Sequence, residues 1–163
     1  MKYICIKTVA IYLLATLPLL ANASTHKVKI THSVMVGNGI AKFIPEGFDA
    51  QKIPSFAIEK EPREQGTLPA DWVLVPEFSL TDGKANASLT VPEGTSIYGG
   101  GEVTGSLLRN GKTIKLWNTD SGAYGVDKGT RLYQSHPWMM GVRKDGTAFG
   151  ILFDTTWKAE LSS

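Results

Sequence analysis

Three carboxylates stand in glycine- or aromatic-rich segments: Glu102 in Tyr98-Gly99-Gly100-Gly101-Glu102, Asp120 in Leu116-Trp117-Asn118-Thr119-Asp120, and Asp154 in Gly150-Ile151-Leu152-Phe153-Asp154. Between the second and third lies Leu132-Tyr133-Gln134-Ser135-His136-Pro137-Trp138. Aromatic rings stack on the apolar face of a pyranose, and carboxylates accept hydrogen bonds from neighbouring hydroxyls, so this mixture suits a sugar ligand. Each acid also has a structural reading. Consecutive glycines permit a bulge or a close backbone approach, and Glu102 is then expected to pair with a local Arg or Lys. Asp120 falls at a loop tip, where it either meets a ligand or caps its own backbone in an Asx-turn. Asp154 reads as a strand-end cap, and Arg109, Arg131 and Arg143 are available partners for all three acids. Trp138 and Trp157 read as sheet packing, whereas Tyr124 and Tyr133 fall near loops.

Other chemistries find less support. Asn110-Gly111-Lys112-Thr113 ends like a phosphate-binding loop, but Ser106 occupies the position of the required first glycine and the next residues alternate like a strand. His26, His32 and His136 share no metal-ligand spacing, so no metal site and no cofactor is expected. The chain has no Gly-x-Ser-x-Gly elbow for a serine nucleophile. Asn86-Ala87-Ser88 fits a glycosylation sequon, but falls inside a predicted strand.

The elements that must hold these residues read as strands. Alternation runs through Val28/Ile30, Val73/Val75, Ala85/Ala87/Leu89/Val91, Ile114/Leu116 and Phe149/Ile151/Phe153. Asx-Gly pairs between such runs are a strong hairpin signal. They predict hairpins over 78–91 around Asp82-Gly83, over 107–116 around Asn110-Gly111, and over 138–153 around Asp145-Gly146. Short strands with frequent turns predict an all-β chain folded as an antiparallel β-sandwich, with Leu89, Val91, Ile114, Leu116, Phe149, Ile151 and Phe153 facing inward. The proline- and charge-rich stretch 53–69 reads as an irregular crossing. Ala159-Glu160-Leu161 still alternates near the last residue, which predicts that the chain ends within a sheet, with the sandwich incomplete at the C-terminus and at least one edge unpaired.

Residues 1–23 read as a secretory signal peptide. Lys2 and Lys7 precede a thirteen-residue apolar run over 8–20, and Ala21-Asn22-Ala23 offers the small-x-small cleavage pattern. The run is shorter than the ~20 residues of a membrane-spanning helix. The expected location is secreted or periplasmic, with no membrane association after cleavage. Residues 24–163 form the expected single domain, without cysteine and with 15 basic and 15 acidic residues. That balance gives no electrostatic reason for a nucleic-acid partner and favours a neutral ligand.

Taken in order, Tyr98-Gly-Gly-Gly-Glu102-Val-Thr-Gly105, Leu116-Trp-Asn-Thr-Asp120, Leu132-Tyr-Gln-Ser-His-Pro-Trp138 and Gly146-Thr-Ala-Phe-Gly150-Ile-Leu-Phe-Asp154 resemble the N-terminal domain of glycoside hydrolase family 31, the α-glucosidase family. The resemblance implies a galactose mutarotase-like β-sandwich followed by a catalytic TIM barrel that this chain does not contain. It also implies retaining hydrolysis of α-linked glucosides by a nucleophilic and an acid/base carboxylate, both from the barrel. No catalytic residue is therefore carried over, and the isolated chain is expected to be inactive. The partners implied are an oligosaccharide or α-glucoside and the barrel of the same polypeptide. In the family a sandwich loop reaches over the barrel mouth, and its aspartate contacts substrate; the matching residue is Asp120. The family more often has a larger residue where this chain has Gly100, which implies a slightly softer strand. A free-standing carbohydrate-binding sandwich without catalysis is the alternative.

Overall fold

The structure, a computed structural model, describes residues 2–8, 24–49, 63–120, 122–124 and 127–163. Its strands are β1 (Lys2–Thr8), β2 (Thr25–Val28), β3 (Ile30–Gly37), β4 (Ile40–Pro45), β5 (Glu77–Thr81), β6 (Lys84–Val91), β7 (Ser96–Gly99), β8 (Thr113–Leu116), β9 (Trp138–Val142), β10 (Ala148–Leu152) and β11 (Ala159–Ser162). All pairings are antiparallel. A six-stranded sheet has the order β2-β5-β6-β1-β11-β8, a three-stranded sheet has β10-β9-β7, and β3-β4 form a separate ribbon.

Alternation explains the layering, because a period of two puts every second side chain on one face. From the larger sheet, Leu89 and Val91 of β6, Ile114 and Leu116 of β8, and Ala159 and Leu161 of β11 enter the core. Ile97 of β7 and Met139 of β9 meet them from the smaller sheet, with Phe149, Ile151 and Phe153 packed alongside. The inward residues expected from the sequence are thus the ones that join the two layers. Leu161 is fully buried, and burying such a side chain contributes about 1.5–3 kcal/mol.

Two expected hairpins form. Thr81 pairs with Lys84 across Asp82 and Gly83, which both take positive φ (51° and 72°), the geometry of a two-residue turn matched to strand twist. The β9–β10 hairpin pairs Val142 with Ala148 across a longer turn closed by Asp145. There the Asp145 carboxylate accepts from the Thr147 amide at 2.9 Å and its hydroxyl at 2.7 Å. Asn86 of the sequon lies buried in β6, donating to the Thr81 hydroxyl and the Lys84 carbonyl.

The hairpin expected over 107–116 does not form. Residues 107–112 are not a strand, and β8 pairs with β11 instead. The reason lies in Asn110, whose side chain accepts from the Ile97 amide at 2.8 Å and donates to the Thr95 carbonyl at 2.8 Å. The Arg109 amide donates to Ile97 O at 2.7 Å. One amide side chain and one peptide group thus occupy the hydrogen-bonding groups near β7 that a partner strand would use.

Other expectations also change. Residues 72–76 carry no strand; Leu74 packs on the core while Val73 and Val75 face solvent, and Pro76 has no amide for a ladder. The chain ends within a sheet, as expected: β11 is paired on both sides, by β1 and β8, and among the described residues the unpaired edge beyond it is that of β8. Of the expected crossing over 53–69, residues 53–62 lie outside the described residues, and the remainder is irregular apart from a bridge between Met35 and Gly66. Of the expected signal peptide, residues 9–23 lie outside the described residues, and Lys2–Thr8 is the strand between β6 and β11.

Candidate functional site

The glycine run is what allows the site to assemble. Gly99, Gly100 and Gly101 all have positive φ, at 112°, 81° and 93°. A Cβ at Gly99 would collide with the Trp138 carbonyl oxygen, and one at Gly101 with the Gln134 carbonyl oxygen. The backbone therefore lies directly against the segment 129–138, an approach that side chains would block. Three amides close this seam: Gly100 N to Trp138 O at 2.9 Å, Glu102 N to Gln134 O at 2.8 Å, and Thr104 N to Gly129 O at 3.0 Å. Gly100 does more than soften a strand. It is buried, and a Cβ there would stand 2.7 Å from the Ile114 side chain.

Arg109 secures the same run from the other side. Its guanidinium is buried and donates to Gly99 O at 3.0 Å and Ser106 O at 2.8 Å. Burial disfavours its charge and lowers its pKa, while the two carbonyls offset that cost. Arg109 thus holds main chain, not the carboxylate partner expected from sequence. Arg143 likewise serves its own hairpin, donating to the Thr147 hydroxyl at 3.1 Å and lying 5.0 Å from the Phe149 ring centroid.

A second clamp places the Asp120 loop. The Thr119 amide donates to Leu132 O at 2.9 Å, which brings Asp120 beside Tyr133. The Asp120 carboxylate acts on the Tyr133 phenol by its charge and by side-chain hydrogen bonding. The Asp120 charge, followed by desolvation, that hydrogen bond, and the charges of Glu102 and Tyr124, raises the Tyr133 pKa above the ordinary tyrosine value. The phenol therefore stays neutral and donates, leaving other acceptor sites on the carboxylate for a ligand. Asp120, Glu102, Tyr124 and Tyr133 are all exposed. They form one acidic, aromatic patch held by main-chain bonds beneath it.

Of the residues singled out from sequence, Glu102, Asp120, Tyr124 and Tyr133 come together. The histidines stand apart: His32 bonds Glu64 at 2.7 Å, His26 bonds Ser24 at 3.1 Å, and His136 bonds Gln134 at 3.3 Å. Trp138 lies in β9 with its ring over Gly150, the sheet packing expected for it. No group of three metal-ligating side chains occurs among the described residues. Sequence reasoning missed the clamps made by Arg109 and Asn110. Asn110-Gly111 read as a turn signal, and nothing local marks Arg109 as buried.

A cleft of about 410 Å³ opens beside the loop, where β8 runs out into Trp117-Asn118 and the chain approaches β11 through Thr155-Thr156-Trp157. Ser135 and Pro137 contribute from the segment between. The pairing of Leu116 with Ala159 sets these two runs side by side, and the Lys158 ammonium lies 5.9 Å from the Trp117 ring centroid.

Comparison with known proteins identifies the family of the domain. Residues 24–161 match the profile of the glycosyl hydrolase 31 N-terminal galactose mutarotase-like domain. Alpha-glucosidase 2 of Bacillus thermoamyloliquefaciens is 48% identical over 66 residues, covering 40% of this chain and 8% of the relative. An alpha-glucosidase of Hordeum vulgare is 42% identical over 80 residues, covering 47% of this chain and 9% of the relative. The matched regions thus span less than a tenth of either relative's length. With four motif blocks in order on an antiparallel sandwich and a profile match across nearly all of residues 24–163, the chain belongs to glycosyl hydrolase family 31, as its N-terminal galactose mutarotase-like domain.

Proposed function

We propose that this domain belongs to an exported α-glucosidase-type enzyme and forms one wall of its substrate entrance, with Asp120 contacting an α-linked glucoside. The observation that carries this reading is the tether from the Thr119 amide to Leu132 O, which sets the exposed Asp120 beside Tyr133. A carboxylate on a tethered loop beside a neutral phenol suits hydroxyl recognition, since its backbone needs little further ordering to reach the sugar. The bond-breaking carboxylates belong to a barrel on the same polypeptide, as both relatives are far longer than the regions matched here. Export rests on the pattern of residues 1–23, with processing after Ala23.

The test is kinetic. In the polypeptide that joins this domain to its barrel, Asp120→Ala is expected to lower kcat/KM for maltose at least tenfold while leaving the melting temperature unchanged. An unaltered kcat/KM would refute ligand contact by Asp120.

A further inference from the structure

We infer that Arg109 is a positioning residue for the Asp120–Tyr133 pair, acting through the main chain between its two hydrogen-bonded carbonyls. This role rests on the reading of Asp120 as a sugar contact and names the residue that fixes where the contact stands. The guanidinium donates from Nε to Gly99 O at 3.0 Å and from Nη1 to Ser106 O at 2.8 Å. One fork thus grips both ends of residues 99–106. The three amides that reach across to segment 129–138, those of Gly100, Glu102 and Thr104, all lie between these ends.

The segment needs such a tie. Four of its eight residues are glycines at positive φ, and residues 100–106 carry no strand, so no ladder holds them. A planar guanidinium donates in two fixed directions, whereas an ammonium donates from one atom on a flexible stem. Lys112 Nζ accordingly reaches only one end, Ser106 O at 3.3 Å. The fork also has a firm base. The Arg109 amide donates to Ile97 O at 2.7 Å, and its carbonyl accepts from the Ser163 hydroxyl at 2.7 Å. At 4% exposure, Arg109 keeps its donors for these carbonyls rather than for water.

Tyr133 stands at the other end of the relay, between two tethered carbonyls. Gln134 O accepts from the Glu102 amide at 2.8 Å, and Leu132 O accepts from the Thr119 amide at 2.9 Å. The first tether leads back to the segment that Arg109 grips, and the second leads to Asp120. A shift of residues 99–106 therefore moves the phenol relative to the carboxylate. Holding the two in register before a ligand arrives removes an ordering cost from binding.

The experiment follows the Tyr133 ring carbons through an alkaline titration of the 163-residue chain, without sugar, in the parent, Arg109→Lys and Asn110→Ala forms. Asn110 holds main chain at Ile97 and Thr95, outside residues 99–106, so its loss reports what destabilisation alone does. Arg109→Lys is expected to bring the Tyr133 midpoint down toward the ordinary tyrosine value. Asn110→Ala is expected to lower the urea midpoint and leave the Tyr133 titration where it was. An unmoved Tyr133 midpoint in Arg109→Lys overturns the role. An equal fall in both variants also overturns it, because Arg109 would then be an ordinary support of the fold. Where the lysine variant fails to fold, hydrogen exchange in the parent chain decides. The Arg109 Nε–H and the Glu102 and Thr119 amides are expected to share one opening rate, and unrelated rates overturn the relay. Since no sugar is present, failure here leaves the Asp120 reading standing. An unaltered kcat/KM in Asp120→Ala would refute sugar contact and leave this result in place.

Discussion

At the residue scale, the Asp120–Tyr133 pair makes two properties depend on each other. The phenol titrates above the ordinary tyrosine range chiefly because of the Asp120 charge. Asp120→Asn is therefore expected to bring the Tyr133 pKa back down, read from its ring carbon shifts across an alkaline titration; no change would separate the two groups. The sign for folding follows. A proton-holding group with a raised pKa supports the folded loop fully below the unfolded value near ~10, and that support is lost as pH rises through the folded value. A different single-residue effect belongs to Gly101, whose φ of 93° and contact with the Gln134 carbonyl oxygen leave no room for a Cβ. Gly101→Ala is expected to destabilise the domain by roughly 1–3 kcal/mol from backbone conformation alone, more with the clash. A urea midpoint equal to that of the parent chain would contradict it.

At the element scale, the β9–β10 turn depends on one ionised carboxylate. Hydrogen bonds from the Thr147 hydroxyl and amide lower the Asp145 pKa. Its contribution is present above the unfolded value near ~4 and lost as pH falls through the lower folded value. Amide exchange at Thr147 is expected to accelerate relative to the strand centres as pH falls through that range, and Asp145→Asn is expected to remove the difference. The position of β1 gives a further expectation. It lies between β6 and β11, so a chain beginning at Ser24 loses the partner of both. Processing after Ala23 produces such a chain, so the proposed export predicts that β6 and β11 keep their amide protection without β1; lost protection and a lower urea midpoint would count against processing there.

At the scale of the whole molecule, the sandwich is a support with its chemistry at the surface. The core unites both sheets through Leu89, Ile97, Ile114, Met139 and Leu161, while Asp120, Glu102, Tyr124 and Tyr133 lie outside it. On the proposed reading the isolated chain is expected to hydrolyse no aryl α-glucoside, because its acids would serve as a binding wall while the reaction requires a nucleophile and an acid/base pair. Steady turnover by a pure sample would disprove this.

Much of this architecture was legible in the residues themselves. Period-two alternation marked β6, β8 and β10, and Asp82-Gly83 and Asp145-Gly146 marked two hairpins, because local sterics set both strand and turn preferences. The four motif blocks marked the family by their resemblance, and that resemblance singled out Asp120, whose contact with ligand is the proposal made above. What needed the tertiary structure was every contact between segments far apart in sequence. Val73/Val75 alternates without forming a strand, and Asn110-Gly111 turns without making a hairpin, because Asn110 meets the edge of β7. Arg109 holds the main chain at Gly99, and Tyr133 meets Asp120 through the bond from Thr119 to Leu132. Side-chain type and local spacing decide which conformations a segment favours; which distant donor fills an unpaired carbonyl is decided when the two sheets close over their shared core.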